Sequence, residues 1–219
     1  TEKYIGTAMG SSSGMTYGNP DLDPETSNNF EIGARYTNNG VNLDWALFYS
    51  ISDDYITSVP IAQTADYIYT NVAKAKSFGS ELALSYDFEN GITPYANLTW
   101  MRRQYDDGEG FKTFNTATPD WVGRYGVRYR TALSETLDFN ADVYARSQSA
   151  TKYESSDGAS NYRLGGFTTA NIAFGFDFGD EKQYSVQAEV RNLFDKRYQY
   201  TEAILEPGLH ANLKIGMKF

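Results

Sequence analysis

The side chains of this chain that could do chemistry are few in kind. There is one histidine, His210, and no cysteine, so most nucleophile and base constellations of hydrolases are unavailable. Arg124, Arg128 and Arg130 recur at alternate positions, and Asp138, Asp142 and Glu189 stand opposite them in later segments. That spacing suits cross-strand ion pairs on a wet wall, and the carboxylates cannot be separated from that ladder as an acid and base dyad. Asp106-Asp107-Gly108-Glu109-Gly110 reads as an acidic loop tip without the ligand spacing of an EF-hand, so a weak external Ca²⁺ site is the most it could form. No catalytic residue and no metal site are expected, and the chain is not read as an enzyme.

The elements that must position these groups follow from composition. The 219 residues include 18 Tyr, 13 Phe, 3 Trp and 19 Gly, a bias towards β structure. A net charge of -9 disfavours nucleic acid as a partner, since phosphate recognition needs basic stripes. No run of about 18 apolar residues is present, which excludes a transmembrane helix but not membrane-crossing strands, where only every second residue is apolar.

Nine segments separate apolar from polar residues by parity. Phe30, Ile32, Ala34 and Tyr36 oppose Glu31, Gly33 and Arg35; after Asn38-Asn39-Gly40, a hairpin signal, Val41, Leu43, Trp45, Leu47 and Tyr49 oppose Asn42, Asp44 and Ser50. The third segment, from about 76 to 88, sets Leu82, Leu84, Tyr86 and Phe88 against Glu81, Ser85 and Asp87, and the fourth sets Pro94, Ala96, Leu98 and Trp100 against Tyr95, Asn97 and Thr99. Trp121 to Arg130, Leu137 to Arg146, Thr169 to Phe178 and Tyr184 to Arg191 alternate in the same way. The last segment alternates from Leu209 through Ala211, Leu213, Ile215 and Met217 to a C-terminal Phe219.

Tyr36, Phe88, Phe139, Phe178, Tyr184 and Phe219 fall beside the short turns, and Tyr49, Trp100, Trp121 and Phe167 fall at the opposite strand ends. Two aromatic girdles of this kind are those of a bilayer-spanning barrel rather than a soluble sandwich. Short connections also alternate with long ones, the asymmetry of periplasmic turns and external loops. The reading is all-β, an antiparallel transmembrane β-barrel. Nine strands leave two open edges that lipid cannot satisfy, so the segments belong to a larger barrel.

Particular motifs carry a family resemblance. Gly18 to Glu25 (GNPDLDPE) followed by Phe30-Glu31-Ile32-Gly33, Asn71-Val72-Ala73 followed by Gly79-Ser80-Glu81-Leu82, and Val190 to Tyr198 (VRNLFDKRY) resemble, in order, signatures of the C-terminal half of TonB-dependent outer-membrane receptors. The resemblance implies the nine C-terminal strands of a roughly 22-stranded barrel, with residues 1–25 ending an external loop and 26–219 forming barrel, the plug and earlier strands lying outside this chain. It implies a Gram-negative outer membrane and uptake of a ferric siderophore. A haem or cobalamin receptor, or a passive porin-like barrel, are the alternatives. No covalently bound cofactor is implied; the transported ligand is a ferric chelate. Implied partners are outer-membrane lipid, the remaining strands and plug, a TonB-type energy-coupling protein and the barrel-assembly machinery, for which Leu213, Ile215, Met217 and Phe219 would form the terminal signal.

Ligand capture in such a receptor falls to the external loops, here about 53–71, 103–119, 147–162 and 198–208. They carry Tyr55, Tyr67, Tyr69, Arg103, Tyr105, Phe111, Phe114, Tyr153 and Tyr162, whose rings and guanidinium suit a flat, often anionic chelate through stacking, cation-π contact and charge-assisted hydrogen bonds. Haem is disfavoured because no histidine precedes Asn19, where haem receptors of the family carry one; His210 is expected on the lumen face near the outer end of the last strand.

Overall fold

The computed structural model describes residues 8–11, 14–106, 110–113, 118–154, 161–201 and 204–218. Among them are sixteen strands and no helix. They are β1 (Ala8–Ser11), β2 (Gly14–Tyr17), β3 (Thr26–Asn38), β4 (Val41–Pro60), β5 (Tyr67–Tyr86), β6 (Ile92–Asp106), β7 (Phe111–Lys112), β8 (Trp121–Ser134), β9 (Leu137–Gln148), β10 (Thr151–Glu154), β11 (Asn161–Leu164), β12 (Phe167–Phe178), β13 (Tyr184–Arg191), β14 (Gln199–Thr201), β15 (Ile204–Leu205) and β16 (His210–Met217). The nine long strands pair in chain order, each antiparallel to the next: β3, β4, β5, β6, β8, β9, β12, β13, β16. The described sheet does not close, so it is an arc of barrel wall with β3 and β16 at its edges.

Turn chemistry fixes the register. Asn39 and Gly40 both adopt left-handed backbone (φ 48° and 80°), the pair of conformations whose twist matches two antiparallel strands in a two-residue hairpin. Register then aligns the parities of neighbouring strands. Pro94, Val127, Val143, Ile172, Val190 and Ala211 form one row across six strands. On the same face Phe30 pairs Tyr49, Ile32 pairs Leu47, and Phe176 pairs both Phe139 and Val186.

This apolar face is not a buried core. Ile32, Leu213 and Ile215 are 68%, 69% and 75% exposed, while the only buried hydrophobic residues among those described are Ala75, Tyr144 and Phe167. A sheet that turns its aliphatic side outward and its Arg, Asp, Asn and Gln inward suits hydrocarbon outside and water inside. Leu213, Ile215 and Met217 lie on the outward face of β16, and Phe219 lies outside the described residues.

Three expectations are corrected. The segment expected as an external loop at 53–71 is mostly strand: β4 runs to Pro60 and β5 starts at Tyr67, leaving a turn at 61–66. The other loops likewise carry structure, with β7 folding back on β6 and the hairpins β10–β11 and β14–β15. These extensions have polar and apolar residues without clean alternation, which is why parity alone misses them. Phe167 does not join the outer girdle: its odd number puts it on the inward face of β12, where Tyr198 and Tyr200 cover it, at centroid distances of 4.2 and 5.2 Å.

The outward row predicts its own sensitivity. Val143→Arg, at mid-height on the lipid face, is expected to cost about 2–4 kcal/mol, whereas Gln187→Arg on the wet face stays within about 0.5 kcal/mol. Guanidinium unfolding of both variants in phospholipid vesicles checks the difference.

Candidate functional site

Of the aromatic and basic residues singled out in the external segments, the structure brings several together at the outer end of β4, β5 and β6, in two groups: Tyr55, Arg103 and Tyr105 on the inward side, and Phe111 with Lys76 on the outward side of the sheet. Tyr55 and Tyr105 pack with ring centroids 5.5 Å apart. The Arg103 guanidinium lies 5.7 Å from the Tyr105 ring, and the Lys76 ammonium sits 3.8 Å over Phe111. Burial pushes the Tyr105 phenol above its ordinary range, against the lowering effect of Arg103, so near neutral pH it is a hydrogen-bond donor beside a fixed cation.

A second cluster forms farther along the wall. Tyr153 and Tyr162 face each other across β10 and β11 with rings stacked 5.4 Å apart at 9°, and the Tyr153 hydroxyl donates to the Tyr200 carbonyl at 3.1 Å. Phe167, Tyr198 and Tyr200 complete it. Tyr67 and Tyr69 lie farther out on the β4–β5 hairpin, opposite Pro60 and Ser58; Phe114 lies outside the described residues. Lys76, Phe167, Tyr198 and Tyr200 were not among the residues singled out. Tyr198 closes the VRNLFDKRY motif, the one signal that could have found it, whereas Lys76 sits in a strand whose parity says nothing of what folds back over it.

Two asparagines hold these outer segments to the wall. The Asn71 side chain accepts from the Asp23 N–H (2.9 Å) and donates to the carbonyls of Asp23 (3.0 Å) and Asp54 (2.5 Å). It thereby ties the GNPDLDPE segment to the β4–β5 hairpin. Asn192, 1% exposed and left-handed (φ 54°), accepts from the Lys196 N–H (2.9 Å) and donates to the Lys196 carbonyl (2.8 Å), while its own N–H donates to the side chain of buried Asn171 (3.0 Å). Asp195 accepts from the Leu209 N–H at 2.9 Å, and a Cβ on Gly208 would lie 2.1 Å from that carboxylate. The VRNLFDKRY motif is thus a knot that returns the chain from β13 to β16.

The inward face carries a charged and phenolic network. Tyr95 donates to both carboxylate oxygens of Asp142 (3.0 Å each), and Arg124 donates to the Tyr95 oxygen (3.1 Å) and to Asp142 (2.8 Å) with its guanidinium 3.9 Å over the Tyr144 ring. Gly126 lies between Tyr95 and Tyr144 in register, and a Cβ there would stand 2.7 Å from the Tyr144 Cβ. Tyr144 donates to Glu189 (2.6 Å), which pairs with Arg191 (2.8 Å). The expected ladder is therefore realised in part: Arg124 takes Asp142, but Asp138 pairs with Lys182 (2.7 Å), Glu189 with its own-strand neighbour, and Arg128 lies 4.8 Å from the Tyr95 ring. Long side chains reach diagonal partners that same-height counting does not select. His210 opens β16, and its Nδ1–H donates to the Gly208 carbonyl at 2.8 Å. The network borders an open recess of about 450 Å³ lined by Arg35, Asp44, Tyr95, Arg124, Arg128 and Asp142.

A family model described as TonB dependent receptor-like, beta-barrel matches residues 3–193. The chain belongs to that family, whose members are outer-membrane receptors and transporters rather than enzymes. It is 26% identical over 204 residues to an iron-regulated outer membrane virulence protein of Vibrio cholerae serotype O1, covering 88% of this chain and 30% of that protein. It is 28% identical over 197 residues to the vitamin B12 transporter BtuB of Photobacterium profundum, covering 83% and 28%. The solved siderophore receptor PirA of Acinetobacter baumannii superposes with a TM-score of 0.68 at 25% identity, covering 94% of this chain and 33% of that one. The chain thus spans about 30% of the length of the curated relatives it matches.

The knot at Asn192 has a measurable consequence. Asn192→Ala strips the part-buried backbone N–H and carbonyl of Lys196 of their partner and is expected to destabilise by about 1 kcal/mol. Amide hydrogen exchange should show loss of protection at Lys196 and Leu209, with the β3–β4 ladder unchanged.

Proposed function

We propose that this chain supplies the C-terminal wall and external ligand-binding surface of an energy-coupled outer-membrane uptake receptor, and that its ligand is a ferric siderophore. The observation that carries this reading is the inward cluster of Tyr55, Arg103 and Tyr105 at the outer end of the wall. A guanidinium beside two aromatic faces suits a flat anionic chelate, since the cation answers its charge and the rings its plane. Tyr153 and Tyr162 supply a second aromatic wall. On this reading residues 1–25 end an external loop and 26–219 are barrel. The remaining strands and a plug complete the receptor, a TonB-type protein couples it to energy, and the barrel-assembly machinery reads Leu213, Ile215, Met217 and Phe219.

Cobalamin is the second reading, favoured by the likeness to a vitamin B12 transporter. Cobalamin is not a ferric chelate, and a surface built around Arg103 is better matched to a ligand with net negative charge.

Uptake by cells carrying the intact protein separates the readings. Radiolabelled ferric enterobactin and ferric yersiniabactin should enter, vitamin B12 should not, and an uncoupler should stop entry; uptake indifferent to the uncoupler would mean a passive pore. Arg103→Ala and Tyr105→Ala are each expected to weaken chelate binding about tenfold, corresponding to about 1.4 kcal/mol. Titration by quenching of intrinsic fluorescence checks this.

A further inference from the structure

Tyr55 is on the wrong parity for the contact it makes. Along β4 the odd residues Trp45, Leu47 and Tyr49 face outward, and Tyr55 is odd. Its ring nevertheless packs 5.5 Å from that of Tyr105, which shares its β6 face with the inward Tyr95. The residue between the two regimes is Asp54, left-handed at φ 55°. It is the single position from Val41 to Pro60 that the β4–β5 ladder skips, the pairing passing from Asp53 with Lys74 to Tyr55 with Val72. A left-handed residue other than glycine is disfavoured unless its surroundings hold it.

The Asn71 carboxamide is what holds it. The side-chain NH₂ donates to the Asp54 carbonyl while the same carboxamide closes a two-bond pair with the Asp23 backbone. Lys74 and Asp53, 3.2 Å apart, brace the step before it. One side chain therefore fastens the GNPDLDPE segment and fixes the backbone twist that turns Tyr55 towards Arg103 and Tyr105.

We propose that Asn71 is the positioning residue of the capture cluster: it touches no ligand, and it aims Tyr55 by holding Asp54 left-handed. The assignment rests on the capture reading above. Its elements are 17 and 48 residues from Asn71 in sequence, so only the fold brings them together.

The test is a cycle in the intact protein, with ferric enterobactin and ferric yersiniabactin as probes. Asn71→Ala and Tyr55→Ala should each weaken binding about tenfold, and the double variant should be no weaker than either. Asp54→Gly, which makes the left-handed conformation free of side-chain cost, should restore part of the loss in the Asn71→Ala background. Additive losses, or no rescue by Asp54→Gly, would overturn the positioning role while leaving the cluster as the binding site. Should Tyr55→Ala and Tyr105→Ala both bind as the parent does, the capture reading falls and the proposal with it. A ligand-free measurement stands beside these. A nitroxide on Tyr55→Cys, in a background where any cysteine elsewhere in the intact protein is replaced by serine, reports position 55 alone, and it should be immobile in the parent and mobile with Asn71→Ala. Equal mobility in the two overturns the proposal whatever the chelates do.

Discussion

Every peptide group that enters hydrocarbon must find its hydrogen-bond partner within the protein, because the solvent offers none. The long antiparallel ladders of this chain are the response to that constraint. The pairing from β3 through β16 runs with a register shift only near Ser134 in the wall strands. Unbroken pairing imposes a fixed side-chain alternation on nine strands at once, and a one-residue slip in any of them would place aliphatic side chains in water and charges in lipid. The turns serve this register, as the left-handed pair at Asn39 and Gly40 does between β3 and β4.

Above the membrane the constraint relaxes, and the chain changes its means of holding shape. Backbone groups there can meet water, strands shorten to two to four residues, and side-chain carboxamides take over. Asn71, Asn171 and Asn192 can each donate and accept at once, so one residue can satisfy both groups of a neighbouring peptide, as Asn71 does for Asp23 and Asn192 for Lys196. The family motifs are therefore fasteners for the outer segments, and Tyr198 at the end of VRNLFDKRY also joins the aromatic cluster around Phe167.

The inward wall is organised differently again. Arg124 is held by a phenol, a carboxylate and an aromatic face together, which leaves its guanidinium fixed rather than free to search for partners. Gly126 makes that packing possible by leaving room between two tyrosines. Such a wall presents a patterned surface of fixed polarity to whatever fills the lumen.

By itself the sequence determined the strand parities, the lipid-facing rows, the short turns and the family, because a period of two and a left-handed turn are local properties of the chain. It also placed the cluster residues Tyr55, Arg103 and Tyr105 in the segments that carry them. The length of the β4–β5 hairpin, the inward Phe167 and the diverted partners of Asp138 and Glu189 were decided by tertiary structure. So was the turning of Tyr55 against its own parity, since it depends on Asn71 reaching Asp54 and Asp23 across the sheet. Contacts between residues far apart in sequence are set by register and twist, and no window of residues read along the chain contains them.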